Sequence, residues 1–301
     1  MMRIVPSRRH RHFGAVLVAV LSLAACAEEK KDTYVERPVE ELYNEAMDDI
    51  DNDEYTKAVK AFEEVERQHP YSVWATKAQL MGAYALYERN KYDDAIVALD
   101  RYIQLHPGNK DTPYAYYLKG LCYYEQIADV GRDQKMTEKA MKALQEVSDR
   151  FPNSKYARDA RLKVDLARDH LAGKEMAIGR YYERNNAYLA ALNRFKTVAE
   201  QYQTTTHVPE ALHRMVEIYL ILGLRDDAQR TAAVLGHNFP GSPWYEDSYS
   251  LIKTGRSMTN EEKADSWTNW VPGMGGSSAP AASDPKPAPK KDSSGWFDWI
   301  W

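Results

Sequence analysis

The 301-residue chain has little cysteine, little charge excess and only one long apolar run. Two cysteines, Cys26 and Cys122, make no disulfide framework and no four-thiolate zinc site. Forty Lys+Arg stand against 44 Asp+Glu, a net charge of −4 with His neutral, which argues against a nucleic-acid partner, since a polyphosphate demands a basic face. There is no GxSxG, HExxH, Walker A or GxGxxG motif, so no catalytic residue is assigned and no cofactor is implied. No metal site is expected either. His69 and His106 each precede a proline at equivalent places, and His207 and His213, six apart, do not share a helical face. Acidic pairs such as Asp48-Asp49 and Glu63-Glu64 read as solvated helix faces.

The apolar run is at residues 13–23, after Arg3, Arg8, Arg9 and Arg11. Eleven residues are too few for a membrane-spanning helix but fit the core of a signal peptide, so residues 1–25 are set apart from the fold. The run ends in Leu23-Ala24-Ala25-Cys26. Small residues before a cysteine resemble a bacterial lipobox, in which Cys26 is lipidated and becomes the mature N-terminus. Ala27 rather than Asp at the next position resembles the sorting signal for the outer membrane. Acyl chains would then anchor the chain at the periplasmic face, at about 0.8 kcal/mol per buried CH₂. Removing four arginines from 40 cations leaves 36 against 44 acids, a charge of −8. Cys122, inside an apolar helical pattern, reads as a buried small hydrophobe rather than a nucleophile.

Repetition is the strongest signal in the chain. Tyr55/Ala58/Phe62, Tyr92/Ala95/Leu99 and Tyr188/Ala191/Phe195 share Tyr-x-x-Ala-x-x-x-Phe/Leu. Thr137/Ala140/Leu144 and Arg225/Ala228/Ala232 are degenerate copies. Eight residues after the last position stands Pro70, Pro107, Pro152 or Pro240, with Gln203 in the fourth copy. Alanine lets two helices approach, and the larger residue one turn later fills the groove between them. Proline cannot continue a helix, and the turn residues after it start the next unit. The alanines are 37, 45, 51 and 37 residues apart. The 45 contains a polar loop near Gly131, and the 51 predicts one long helix over residues 155–184. In the second unit Gln79, Gly82, Ala83 and Leu86 form the packed stripe. The whole resembles the tetratricopeptide repeat: an all-α, superhelical solenoid of about five helix pairs over residues 39–255, behind a stalk at 26–38 and ahead of a tail at 256–301.

First helices line the concave surface of such a solenoid. Tyr43 in the first, Leu80, Tyr84 and Tyr87 in the second, and Tyr114 and Tyr117 in the third are the candidate peptide-groove residues. Thr112 is read as the N-cap of the third, with Pro113 after it. Tyrosine offers broad apolar contact with a polar tip. The same residues also suit packing between repeats, and most individual tyrosines are expected there.

Several local sequences resemble the BamD (ComL-type) lipoprotein family of the outer-membrane β-barrel assembly machine, over residues 26–255. They are Ala83-Tyr84-Ala85-Leu86-Tyr87, Tyr116-Tyr117-Leu118-Lys119-Gly120-Leu121, Phe151-Pro152-Asn153-Ser154-Lys155-Tyr156, Tyr181-Tyr182-Glu183-Arg184 and Leu192-Asn193-Arg194. The resemblance implies a non-enzymatic adaptor. Its N-terminal repeats would receive C-terminal segments of unfolded outer-membrane proteins. Its C-terminal repeats would hold BamA and other assembly-complex lipoproteins. The Arg of the family's Asn-Arg pair contacts BamA and falls on Arg194, beside Asn193. A guanidinium suits bidentate docking to a carboxylate. A different repeat lipoprotein, scaffolding cell-wall enzymes, shares the same fold and address and stands as the alternative.

The resemblance stops at about Gly255. Residues 272–295 read as a Pro/Gly/Ser-rich linker. The chain ends in Trp296-Phe297-Asp298-Trp299-Ile300-Trp301, in which Trp296, Phe297, Trp299 and Trp301 are candidates for recognition by a partner groove, by the chain's own N-terminal groove or by a membrane interface.

Overall fold

A computed structural model describes residues 36–255, all of whose regular structure is helical. The helices are α1 (Val39–Asp51), α2 (Tyr55–Gln68), α3 (Val73–Glu88), α4 (Tyr92–Leu105), α5 (Thr112–Tyr124), α6 (Lys135–Arg150), α7 (Lys155–Arg184), α8 (Tyr188–Gln201), α9 (Val208–Ile221), α10 (Arg225–Asn238) and α11 (Pro243–Thr254). They pair as five antiparallel-type units, α1/α2 to α9/α10, with α11 after the last. The expected signal peptide, Cys26 and the tail from residue 256 lie outside the described residues.

The repeated motif does what its chemistry dictates. Ala58, Ala95, Ala140, Ala191 and Ala228 are all fully buried, and Phe62, Leu99, Leu144 and Phe195 one turn later are buried with them. Ala46, Ala83 and Gly179 stand twelve residues before the motif alanine in the first, second and fourth repeats, and Ala46 and Ala83 are buried too. A Cβ built on Gly179 would lie 2.5 Å from Cε1 of Phe195, so α7 and α8 touch only because position 179 is bare. Gly120 stands likewise against Leu144.

The ends of the second helices, and the starts of the helices that follow them, are also set locally. His69, His106, Phe151, Tyr202 and Phe239 follow α2, α4, α6, α8 and α10 with φ between −122° and −134° and ψ between 41° and 57°. Proline after four of them disfavours helical backbone at the preceding residue. Tyr202 takes the same geometry before Gln203, so the helix end does not depend on proline. Ser72 and Ser242 cap α3 and α11 through their hydroxyls, accepting from the N–H of Ala75 and Trp244. Thr112 is a correction: Asp111 occupies the cap position of α5, and Thr112, buried in the first turn, donates its hydroxyl to the His106 carbonyl at 2.7 Å.

The turns inside the repeats share a lock. Asp53, Asn90 and Asn186 hold φ of 58–59°, the left-handed region that ends the first helix. Tyr55, Tyr92 and Tyr188, two residues on, donate their hydroxyls to those side chains at 2.7–2.8 Å. In the fifth repeat Gly223 takes the turn at φ 75° and Arg225 replaces the tyrosine. The third repeat substitutes its longer loop, where the Gln134 amide donates to the carbonyls of Asp129 and Arg132 and accepts from Thr137.

The described residues form two compact units that divide between Ala167 and Arg168, inside α7. In the first, Leu80, Ala83, Leu99, Tyr102, Leu118, Leu144 and Val147 form a continuous core that ends on Ala160 and Val164 of α7. At its start Arg37 is gripped by the end of α2: its N–H donates to Gln68 Oε1 at 2.8 Å, and its carbonyl accepts from His69 Nε2 at 2.7 Å. In the second unit Met176, Ala191, Phe195, Val198, Leu212, Met215, Ile218 and Leu235 form the core. Tyr245 of α11 lies against Gly236, where a Cβ would be 2.4 Å from its ring.

Candidate docking surfaces

The second unit carries the Asn-Arg pair. Phe195 of α8 fills the space above Gly179, and this fixes the register of α7 against α8. Arg194, adjacent to Phe195, therefore reaches Glu175, one turn before Gly179. Arg194 Nη1 donates to Glu175 Oε2 at 3.0 Å. The Arg194 side chain is 43% exposed and that of Glu175 20%. Asn193 is exposed, and so is Leu189, one turn earlier on the same face of α8. An apolar side chain and an amide thus share one accessible helix face, with the partly tethered guanidinium about 100° round the helix from Asn193.

A denser ion network lies at α7, α9 and α11 of the same unit. Arg180 pairs with Glu210 at 2.8 Å, and Arg214 with Glu217 at 2.9 Å and Glu183 at 3.9 Å. Buried His213 shares a hydrogen bond with Ser248 of α11 at 2.8 Å and places Nε2 3.5 Å from Glu217. Trp244 covers both His213 and Arg214, with its ring 5.2 Å from the imidazole. Burial pushes the Glu183 carboxyl above its ordinary value. Burial opposes ionisation of Glu217 too, but His213 and Arg214 hold its carboxyl below the ordinary value. The ion pairs tie α7 to α9, whereas α11 is held to α9 by the His213–Ser248 hydrogen bond and by Trp244.

The candidate groove residues belong to the first unit, and the structure places most of them inside it. Tyr43 is buried between Phe62 and Trp74, with ring centroids 5.7 and 4.9 Å away, and burial pushes its hydroxyl up to about 12. Leu80 and Tyr114 are core, Tyr114 being 5.4 Å from the ring of Tyr156. Tyr117 stacks on Tyr156 at 5.2 Å and donates its hydroxyl to Asp159. Tyr87 is buried and donates to Glu125 at 3.3 Å. Tyr84 alone of the six is half-buried. The face shared by Leu80, Tyr84 and Tyr87 is mainly the one laid against neighbouring repeats. The unit also has a cleft of about 110 Å³, lined by Phe62, Gln79, Gly82, Leu86 and Arg101 and by none of the six candidates.

Cys122 is buried, and burial pushes its thiol up to about 12. Among the described residues no group of three or more His, Cys, Asp or Glu side chains is placed to hold a metal ion. Nor is any described helix long and apolar enough to cross a membrane. Trp296, Phe297, Trp299 and Trp301, like Cys26, lie outside the described residues. Sequence reasoning missed Glu175, which no local pattern marks, since it stands 19 residues from Arg194 on the preceding helix. It also missed the turn lock, although Asp53-x-Tyr55, Asn90-x-Tyr92 and Asn186-x-Tyr188 are visible in the sequence.

Helix pairs built on a bare position, a motif alanine and a groove-filling residue define a tetratricopeptide-type repeat protein. The chain belongs to the outer membrane lipoprotein family YfiO, which it matches over residues 35–235. Three relatives are each named outer membrane protein assembly factor BamD. That of Caulobacter vibrioides is 54% identical over 255 residues, covering 84% of this chain and 83% of the relative. That of Rickettsia prowazekii is 45% identical over 240 residues, covering 80% and 96%. That of Neisseria meningitidis serogroup A is 38% identical over 239 residues, covering 74% and 90%.

Proposed function

We propose that this chain is a lipid-anchored adaptor of the outer-membrane β-barrel assembly machinery, with no reaction of its own. Cys26 carries the anchor at the periplasmic face. The α8 face bearing Asn193 and Arg194 docks BamA, other lipoproteins of the complex join the C-terminal repeats, and the first unit receives C-terminal segments of unfolded outer-membrane proteins. The observation that carries the reading is family membership across most of the chain, joined to a partly exposed Arg194 on the surface of the fourth repeat. For client segments the accessible contacts are Tyr84 and, separately, the cleft beside Leu86, while Tyr43, Leu80, Tyr87, Tyr114 and Tyr117 serve the packing of the unit.

Affinity recovery of the tagged chain from detergent-solubilised outer membranes tests it, comparing the parent with Arg194→Glu. BamA is expected with the parent and about 30-fold less affinity with the variant, as for truncation of a paired interface charge. BamA recovered equally with both removes Arg194 from the interface. Cell-wall synthases or hydrolases recovered without BamA replace the reading by the scaffold alternative.

A further inference from the structure

Arg194 is held at a single point. Its Nη1 bonds Glu175 at 3.0 Å, and the carboxylate is the less exposed partner, 20% against 43%. Glu175 is therefore the fixed member of the pair and the guanidinium the one that reaches toward solvent. A guanidinium has five N–H donors in a planar fork, and one bond to Glu175 leaves the rest for another acceptor. The pair is also locked in register, because Gly179 and Phe195, one turn and one residue away, pack so closely that a Cβ at position 179 would lie 2.5 Å from the ring.

We infer that Glu175 is a positioning residue for docking: it holds the Arg194 guanidinium along the edge of α8, so that its free donors meet a carboxylate of the partner without first ordering a long side chain. This rests on the reading of Arg194 as the docking residue. An unheld arginine would have to be immobilised on binding, which weakens affinity by about three- to tenfold per such side chain. Opposing this, Glu175 repels an incoming carboxylate. That repulsion is felt through solvent at a half-exposed site, whereas the bond to Arg194 is direct, so holding outweighs repulsion.

The test is a double-mutant cycle on the full chain, with Glu175→Gln, Arg194→Gln and both together. The probe is the purified periplasmic region of BamA from the same organism, and thermal unfolding is measured alongside. Glu175→Gln is expected to weaken binding about three- to tenfold with its unfolding midpoint unchanged, and to have no further effect once Arg194 is Gln. A second variant separates presentation from mere pairing. Glu175→Arg with Arg194→Glu keeps an ion pair across the helices but presents the wrong charge, and should bind no better than Arg194→Gln. Glu175→Gln binding as well as or better than the parent, or adding in full to Arg194→Gln, overturns the inference and leaves the docking reading standing. An unaltered affinity of Arg194→Gln removes the docking reading, and the inference with it.

Discussion

The hydroxyl of Tyr188 donates to the side chain of Asn186 at 2.8 Å, and Asn186 sits at φ 58°. One bond thus ties the start of α8 to the residue that ends α7. The same bond recurs from Tyr55 to Asp53 and from Tyr92 to Asn90. Asn186→Ala forces a Cβ-bearing residue without a side-chain acceptor into the left-handed region, and should cost about 1–2 kcal/mol in urea unfolding. Tyr188→Phe removes only an exposed bond and should cost about 0.5 kcal/mol.

Gly179→Ala puts a methyl group 2.5 Å from the Phe195 ring and should destabilise by about 1–3 kcal/mol through overpacking. The second repeat holds Ala83 and Leu99 at the same register positions, both buried. Combining Gly179→Ala with Phe195→Leu should therefore recover part of the loss, read from the denaturation midpoint. A loss that simply adds would mean that the two positions do not share one contact.

The Glu217 carboxyl is held below its ordinary value, so its pairing stabilises the fold above the unfolded carboxylate range, near pH 4.5. That contribution disappears as pH falls through the still lower folded value. Glu217→Gln should therefore be destabilising by about 1–3 kcal/mol at pH 7 and progressively less so as pH falls below about 4.5, measured by urea unfolding across that range. Glu183 has the opposite sign, since its raised value makes it take up a proton first on acidification.

Cys122 is buried and its thiol is pushed up to about 12. Alkylation at pH 7, followed by peptide mapping, should find it unmodified in the folded chain and modified in urea. Modification at equal rates in both would mean that the α5–α6 contact opens readily.

Leu189 is 67% exposed one turn before Asn193. Leu189→Asp should leave stability within about 0.5 kcal/mol of the parent, as expected of a surface substitution. If the α8 face docks a partner, affinity for BamA falls with it, measured by titration.

The repeat pattern was readable because one fully buried alanine and one groove-filler per unit leave few alternatives. The long helix at Lys155–Arg184 was readable from spacing alone. The fate of the tyrosines was not. Tyr84 and Tyr87 are three residues apart on one helix, yet Tyr87 is buried against Glu125 and only Tyr84 is half-accessible. Periodicity gives a shared face but not which neighbour lies on it. Glu175 was hidden for a related reason: its pairing with Arg194 is set by the Gly179–Phe195 contact, and a helix-to-helix register is not a local property of either segment.

Arg37 is held through both its backbone N–H and its carbonyl by the last residues of α2. Mechanically, a pull on the N-terminal side is delivered to the first helix pair rather than to a swivel. With a lipidated Cys26, eleven residue steps separate the anchor from that grip. A chain of that length reaches at most about 36–40 Å when fully stretched. The first repeat would then work on a short leash, meeting its clients within one small protein's diameter of the membrane surface.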